Sequence, residues 1–315
     1  MNISVVIPLY NKEKHIAHTI ATVLAQTFAD FELIVVDDGS TDRSTEIAES
    51  IRDERLTIVR KRNEGVEAAR NLGVNQANGD YIAFIDADDE WMPHFLEEIA
   101  SLITEYPNAA VFATALMVHE RNGEEYRLDY PNLPNDGTHC LIENYFETSR
   151  YYSPLSSSSV CVQKRAFQKT GGFTVGITNG EDLDLWCRMA LQYEFAYSSR
   201  PSAVYRRDSE NMASRSMTTP SYFPFLTEYA KDDSHIIKDY ESIERYILQR
   251  QYDAISASLF VIRDKSIARS IIGDIRFQRH NRKKYLAYKL LSLMPQSVID
   301  SVYKIRSKSL TNYDA

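Results

Sequence analysis

The sequence predicts an α/β protein: a mostly parallel, twisted, Rossmann-like sheet flanked by helices, with a helical C-terminal extension. Three observations predict it. Short β-branched apolar runs alternate with helix-period segments through the first third of the chain, and acidic clusters close two of those runs. The final part of the chain then turns to helical patterns alone.

Ile3–Leu9 (ISVVIPL) is mostly β-branched and apolar, as expected for a strand covered on both faces. Ile16, Ile20, Val23 and Leu24 then repeat at helical spacing. Phe31–Val36 is the second strand and runs into Asp37-Asp38-Gly39-Ser40; a helix is expected over 41–52, with Thr41 as its N-cap. Leu56–Arg60 reads as a third strand and Gly65–Gln76 as a helix. Tyr81–Ile85 is the fourth strand, closing at Asp86-Ala87-Asp88-Asp89, and Pro93 suits the first turn of the helix that follows. Ala109–Val118 is another strand. Between 119 and 159 the pattern dissolves among Pro, Asn, Tyr and Ser. Val160–Gln163, a Gly171-Gly172-Phe173 turn and a helix over Glu181–Gln192 follow, and from about Tyr222 onward the chain reads as helical, with Pro295 dividing the last helices. These patterns divide the chain into a first domain over 1–220, with halves at about 1–110 and 111–220, and a helical region over 221–315.

The composition is that of a globular protein, 43% hydrophobic and 25% charged, with a formal charge of −8 that argues against a nucleic-acid binder. Cys140, Cys161 and Cys187 are widely spaced and form no CxxC pair, which suits reduced thiols in the cytoplasm. Ile3–Leu9 is too short, and has no basic segment before it, to read as a signal peptide, and no run approaches the ~18 apolar residues of a membrane span. The acidic average hides a basic tail. Arg276, Arg279, Arg282, Lys283, Lys284, Lys289, Lys304, Arg306 and Lys308 face only Asp274 and Asp300 between 273 and 308. Interleaved with Tyr285, Leu286, Leu290, Leu293 and Val298, that tail is expected either to pack on the first domain or to touch the cytoplasmic face of the inner membrane.

Sheets of this kind bind ligands beyond the carboxyl ends of their strands, where both acidic clusters fall. Asp86 and Asp88 would point two hard oxygen ligands into one crevice, a donor set suited to Mg²⁺ or Mn²⁺ that also holds phosphate. A lone Asp-x-Asp is weak, since solvated loop aspartates are common. Its position after an apolar strand, beside a second acidic strand end, strengthens it.

Ser4-Val5-Val6-Ile7-Pro8-Leu9-Tyr10-Asn11 and Val35-Val36-Asp37-Asp38-Gly39-Ser40-Thr41-Asp42 resemble the opening of family 2 glycosyltransferases of the GT-A fold. Asn63-Glu64-Gly65, Ala69-Arg70-Asn71, Asp86-Ala87-Asp88-Asp89, and Gly172-Phe173 leading to Glu181-Asp182-Leu183-Asp184-Leu185-Trp186 continue the resemblance in order, over about residues 1–210. The resemblance implies an inverting enzyme that moves a sugar from a UDP-sugar to a hydroxyl of a glycan or lipid-linked acceptor, in cell-surface polysaccharide synthesis. It implies that Pro8 and Tyr10 line the nucleobase pocket, that Asp38 accepts the uracil N–H, and that Asn63 and Arg70 lie near the nucleotide, with Arg70 approaching the diphosphate. Asp86 would bond the ribose, Asp88 would ligate Mg²⁺ or Mn²⁺, and Asp182 would be the catalytic base. Where family members often have Tyr-Arg-x-His, this chain has Tyr205-Arg206-Arg207-Asp208, so Arg207 is expected to meet the diphosphate in place of the histidine.

Each residue has a plainer reading. Asp38 could serve turn chemistry, Arg70 could pair with Glu67, and Glu181-Asp182 could complement a helix dipole. Two rival functions follow. A dinucleotide enzyme or nucleotidyltransferase would carry a glycine-rich loop after the first strand, and Pro8–Lys12 contains no glycine. A decayed scaffold subunit would have lost a carboxylate, and all are present.

Overall fold

The structure, a computed structural model, describes all residues except 131, 178, 210–219, 221, 229–239 and 312–315. It comprises two units, residues 1–177 with 181–212 and residues 178–180 with 213–315. The expected boundary at 220/221 and the start of the expected helical region fall largely among residues outside the described set.

The first unit begins with β1 (Ile3–Leu9), α1 (Ile16–Leu24), β2 (Phe31–Asp37), α2 (Ser44–Ser50), β3 (Leu56–Arg60), α3 (Val66–Gln76) and β4 (Tyr81–Phe84). It continues through β5 (Glu90–Trp91), α4 (Phe95–Glu105), β6 (Ala109–His119), β7 (Glu125–Arg127), β8 (His139–Leu141) and α5 (Tyr145–Thr148). It closes with β9 (Val160–Gln163), α6 (Lys164–Thr170), α7 (Glu181–Ala190) and β10 (Glu194–Arg206). The strands form one sheet in the order β3-β2-β1-β4-β9-β6-β10-β5.

The first half of that sheet is parallel, with β1 between β2 and β4 and β3 outside β2. The second half is mixed, which narrows the expectation of a mostly parallel sheet: β9 lies antiparallel to both β4 and β6, while β10 runs parallel to β6. A parallel return needs a long crossover, usually helical. Among the described residues, the stretch between β6 and β9 holds the four-residue α5 and two short strands but no long helix, and β9 comes back reversed. α2 is also shorter than expected. It starts at Ser44 rather than Thr41, because the Asp42 carboxylate accepts the Ser44 N–H and holds 41–43 in a turn.

Every residue of β1 is buried. Ile16, Ile20 and Val23 of α1 and Phe95, Leu96, Ile99 and Leu102 of α4 share one core with Val5, Ile7, Leu33 and Val35. α3 covers the other face and comes close because residue 73 is glycine: a Cβ there would sit 2.3 Å from Val6 Cγ1. The chain runs outward from β1 to β3 and then crosses to β4, so the order reverses between β1 and β4. The crevice outside their carboxyl ends is where such a sheet receives a ligand.

The second unit is helical: α8 (Phe225–Glu228), α9 (Tyr240–Ala257), α10 (Lys265–Asp274), α11 (Arg282–Leu293) and α12 (Gln296–Thr311). Pro295 separates the last two, as expected. Leu248, Tyr252, Ile255, Leu259, Ile271, Ile272, Tyr288 and Ile299 make a core of its own, with the Tyr252 and Tyr288 rings stacked at 5.6 Å. Arg279 of the basic tail, itself largely exposed, and the neighbouring His280 both pair with the buried Glu244. Arg306 and Lys308 lie outside the residues whose side chains are described. Among the described residues, no helix is long and apolar enough to cross a membrane.

Candidate active site

The turn after β1 is tied to the turn after β2. The Asn11 N–H donates to Ser40 Oγ (3.1 Å), the Thr41 N–H to Asn11 Oδ1 (2.8 Å), and the Lys12 N–H to Ser44 Oγ (2.7 Å). Asn11 takes φ +52°, a left-handed conformation that asparagine tolerates better than most residues. Pro8 is buried in β1, and Tyr10, two residues on, is 46% exposed at the crevice mouth.

Of the two aspartates closing β2, Asp37 serves the turn: it accepts the Ser40 N–H (3.0 Å) and the Thr45 hydroxyl (2.7 Å). Asp38 is buried and accepts from Lys61 Nζ (2.6 Å), the Glu64 N–H (3.0 Å) and the Gly65 N–H (2.9 Å). Three donors on a carboxylate with about four acceptor positions leave room for one more. Gly39 permits this packing, since with φ +75° a Cβ there would press 2.9 Å from the Asn63 nitrogen. Asn63 itself is exposed on the loop that brings Glu64 and Gly65 to Asp38.

After β4 the chain presents Asp86, Asp88 and Asp89 in three different settings. Asp86 Oδ1 accepts from Arg70 (2.6 Å), whose other arm reaches Glu181 (2.9 Å) and whose guanidinium stands 5.2 Å over the Phe173 ring. Arg70 is therefore enclosed, its side chain only 3% exposed, and its charge bridges the end of β4 to the start of α7. This differs from both sequence readings: the fork is taken up by two carboxylates rather than open toward a diphosphate, and Glu67 instead accepts the Gly176 N–H. Asp88 is met by Lys12 Nζ at 2.6 Å and by the Ser209 hydroxyl. Asp89 is buried, held by the Ser158 hydroxyl and the Arg206 N–H (3.0 Å). Burial first, then the charges of Asp88 and Asp86, push its pKa well above the carboxylate range. It is a structural acid that ties the β4 end to β10.

α7 opens with three acids that also separate. Glu181 is held by Arg70, and Asp184 is buried against Arg188 (2.9 Å) and Thr174 (2.9 Å). Asp182 accepts only the neighbouring Leu183 N–H (2.7 Å) among the described hydrogen bonds. Burial and the adjacent Glu181 charge raise its pKa to about 7, with Arg70 pulling the other way.

Arg207 departs from its expected place. Its guanidinium pairs with Glu120 at 2.7 Å and lies beside Tyr126, on the β6–β7 side. The two arginines part where β10 ends: Arg207 is the first residue of the turn after the strand, its N–H bonded to the His119 carbonyl (2.8 Å) and its side chain taken up by Glu120. Arg206, not Arg207, turns toward Glu90 (3.3 Å) and Asp208 (2.9 Å). His15, at the entry to α1, feels Asp88 and Asp208, although burial leaves its pKa lowered. Sequence reasoning missed Lys12, Lys61 and Ser209. Lys12 alone carried a signal, as the first cation of the turn beside the topological switch.

Among the described residues, no three His, Cys, Asp or Glu side chains form a cation cage. A single carboxylate at a crevice mouth still fits Mg²⁺ or Mn²⁺, which take one or two carboxylates and complete their shell with phosphate and water. The donor chemistry of Asp88 suits such an ion.

Residues 4–170 match the family model described as glycosyl transferase family 2. The chain is 32% identical to glycosyltransferase GlyA of Streptococcus pneumoniae serotype 4 over 180 residues, which cover 53% of this chain but 25% of that protein. The chain thus spans about a quarter of that relative's length. It is 28% identical to the putative glycosyltransferase EpsE of Bacillus subtilis over 224 residues, 69% of this chain and 77% of that one. The crystal structure of S. aureus TarS 1-349 in complex with UDP-GlcNAc superposes with a TM-score of 0.72 at 17% identity, covering 96% of this chain and 92% of that one, a likeness of fold.

Proposed function

Because the chain belongs to glycosyl transferase family 2 and is a glycosyltransferase, we propose that it moves a sugar, with inversion, from a UDP-sugar to a hydroxyl of a glycan or lipid-linked acceptor in cell-surface polysaccharide synthesis. The observation that carries the reading is the division of labour among the acids of the crevice. Asp38 keeps one acceptor position beside an exposed tyrosine, Asp88 lies under a lysine, and Asp182 has a pKa of about 7. The TarS structure that shares the fold holds UDP-GlcNAc, which supports a uridine donor.

In this reading Tyr10 stacks on the uracil, with Pro8 beneath it, and Asp38 accepts the N3–H, with Asn63 at the edge of the same pocket. Asp86, oriented by Arg70, bonds the ribose. Asp88 holds Mg²⁺ or Mn²⁺, which when bound offsets charge on the leaving diphosphate. Lys12 gives that diphosphate a second cation. On the other side of the sugar, the acceptor oxygen attacks the anomeric carbon while its proton passes to Asp182. The bond from that carbon to the β-phosphate oxygen breaks, and UDP leaves with the electron pair. One base and one displacement give inversion, with no covalent intermediate.

The test is a panel of UDP-sugars offered to the purified protein, with UDP release measured with and without lipid-linked acceptors. Release that rises with one donor and one acceptor supports the reading. No UDP binding, together with no release from any donor, overturns it.

A further inference from the structure

Helix α11 has two unlike faces. On α11, Tyr288 and Ser292 are buried, and Tyr285 and Leu291 pack against the core of the second unit. Lys284 belongs to that inner side as well, its ammonium 4.7 Å over the Tyr252 ring. The opposite side carries Leu286, Leu290 and Leu293, which at steps of four and three share one stripe. They are 47%, 58% and 64% exposed, values unusual for three leucines in a row on one face.

What borders the stripe indicates what covers it. At about 100° per residue, Arg282 and Lys289 fall along one edge and Lys283 along the other, all exposed. The helix has four basic residues and no acidic one, in a chain whose net charge is −8. A narrow apolar stripe with cations on both edges fits the boundary between headgroups and acyl chains. There the leucines enter the apolar layer and the long basic side chains reach back to anionic headgroups.

We propose that α11 is an interfacial helix that docks this protein onto an anionic lipid bilayer through Leu286, Leu290 and Leu293. The helix lies in the plane of the surface and does not span it. The inference suits an acceptor carried on lipid but does not rest on the donor or the base, because binding is read without transfer.

The experiment is co-sedimentation of the whole protein with vesicles of phosphatidylglycerol and phosphatidylethanolamine, against vesicles of phosphatidylcholine. Three proteins are compared: wild type, a triple variant Leu286→Ser, Leu290→Ser and Leu293→Ser, and a charge variant Arg282→Gln, Lys283→Gln and Lys289→Gln. Wild type should pellet with the anionic vesicles and be released by salt. The leucine variant should lose ten-fold or more of that binding, and the charge variant should lose its preference for anionic lipid. UDP binding should be the same in all three, which separates this test from that of the glycosyl transfer. The exposed positions make folding of both variants straightforward to verify by circular dichroism. Wild type that stays in solution with anionic vesicles, or binds neutral ones equally, overturns the proposal. So does a self-associated wild type that the leucine variant turns into a monomer, since the stripe would then face a second copy.

Discussion

The Lys12 ammonium lies 2.6 Å from the Asp88 carboxylate, joining the turn after β1 to the turn after β4. The two residues are 76 positions apart and meet because the sheet order reverses between those strands. Ser209 shares the arrangement, hydrogen-bonded to Asp88 and 3.3 Å from Lys12 Nζ. Without another cation, the lysine neutralises the acid.

A divalent ion at Asp88 would displace that ammonium toward the diphosphate, so Lys12→Met should have effects of opposite sign. Mn²⁺ should bind the free protein more tightly, because a competing cation is gone. UDP in the presence of metal should bind about ten-fold more weakly, the loss of ~1.4 kcal/mol of a charge-assisted contact. Titration calorimetry and the Mn²⁺ electron spin resonance signal measure the two separately. If both affinities fall together, Lys12 merely orders the turn.

Asp38 serves two purposes, and its replacement should reveal both. In Asp38→Asn the new amide NH₂ must face at least one of three donors, Lys61, Glu64 N–H or Gly65 N–H. The start of α3 should loosen by about 1–2 kcal/mol, read in chemical denaturation. In wild type, the carboxylate accepts the uracil N3–H but repels the bare N3 of cytosine, so UDP should bind at least ~10²-fold more tightly than CDP. CDP or GDP binding more tightly than UDP would defeat the uridine reading.

Arg70 is expected to position, not to catalyse. Arg70→Met leaves Asp86 and Glu181 without their common cation and should cost about 3–5 kcal/mol of stability. Arg70→Lys keeps the charge but cannot fork to both acids, so it should fold with a lower Tm. Its effect on pH is the sharper readout. Arg70 pulls the Asp182 pKa down, so a weaker cation should move the alkaline-rising limb of activity to higher pH. A lowered Tm with an unmoved limb would confine Arg70 to structure.

The first four strands could be read from the sequence because β1, β2 and β4 are almost wholly buried and so are mostly apolar, with only Ser4, Glu32 and the closing Asp37 as polar residues. β10 could not. Its centre is Ser198-Ser199-Arg200-Pro201-Ser202, and it pairs with β6 through register shifts on either side of Pro201, so no period of two survives. Arg207 is placed at the diphosphate by the Tyr-Arg-x-His resemblance alone, and no local pattern shows that Arg206 pairs with Glu90 and Arg207 with Glu120. The acids were legible as types, but their division was not. Whether an aspartate caps a turn, holds a proton or faces a lysine depends on partners 20 to over 100 residues away, as with Asp38 and Lys61 or Arg70 and Glu181.

Asp182 offers the most direct test of the chemistry. Its pKa of about 7 means that near neutrality it exists both with and without its proton, the condition for an effective general base. Transfer should therefore climb with pH through about 7 and level off above it. Stability should move the other way. An unfolded aspartate ionises near its ordinary value of 3.8, and the folded one only near 7. Between those values the folded state holds the extra proton, so rising pH favours the unfolded chain, and the cost persists in full above 7. Asp182→Asn removes both effects at once. The amide cannot take a proton, so transfer should fall by ~10²–10⁴-fold, while UDP affinity stays nearly unchanged because the base touches only the acceptor. The same variant should have a Tm equal to or above wild type at pH 8, and the difference should shrink toward pH 4. If Asp182 only completed the first turn of α7, asparagine would serve almost as well there. Near-normal transfer by Asp182→Asn would end its assignment as base and direct attention to Glu181, the next acid at the same helix start.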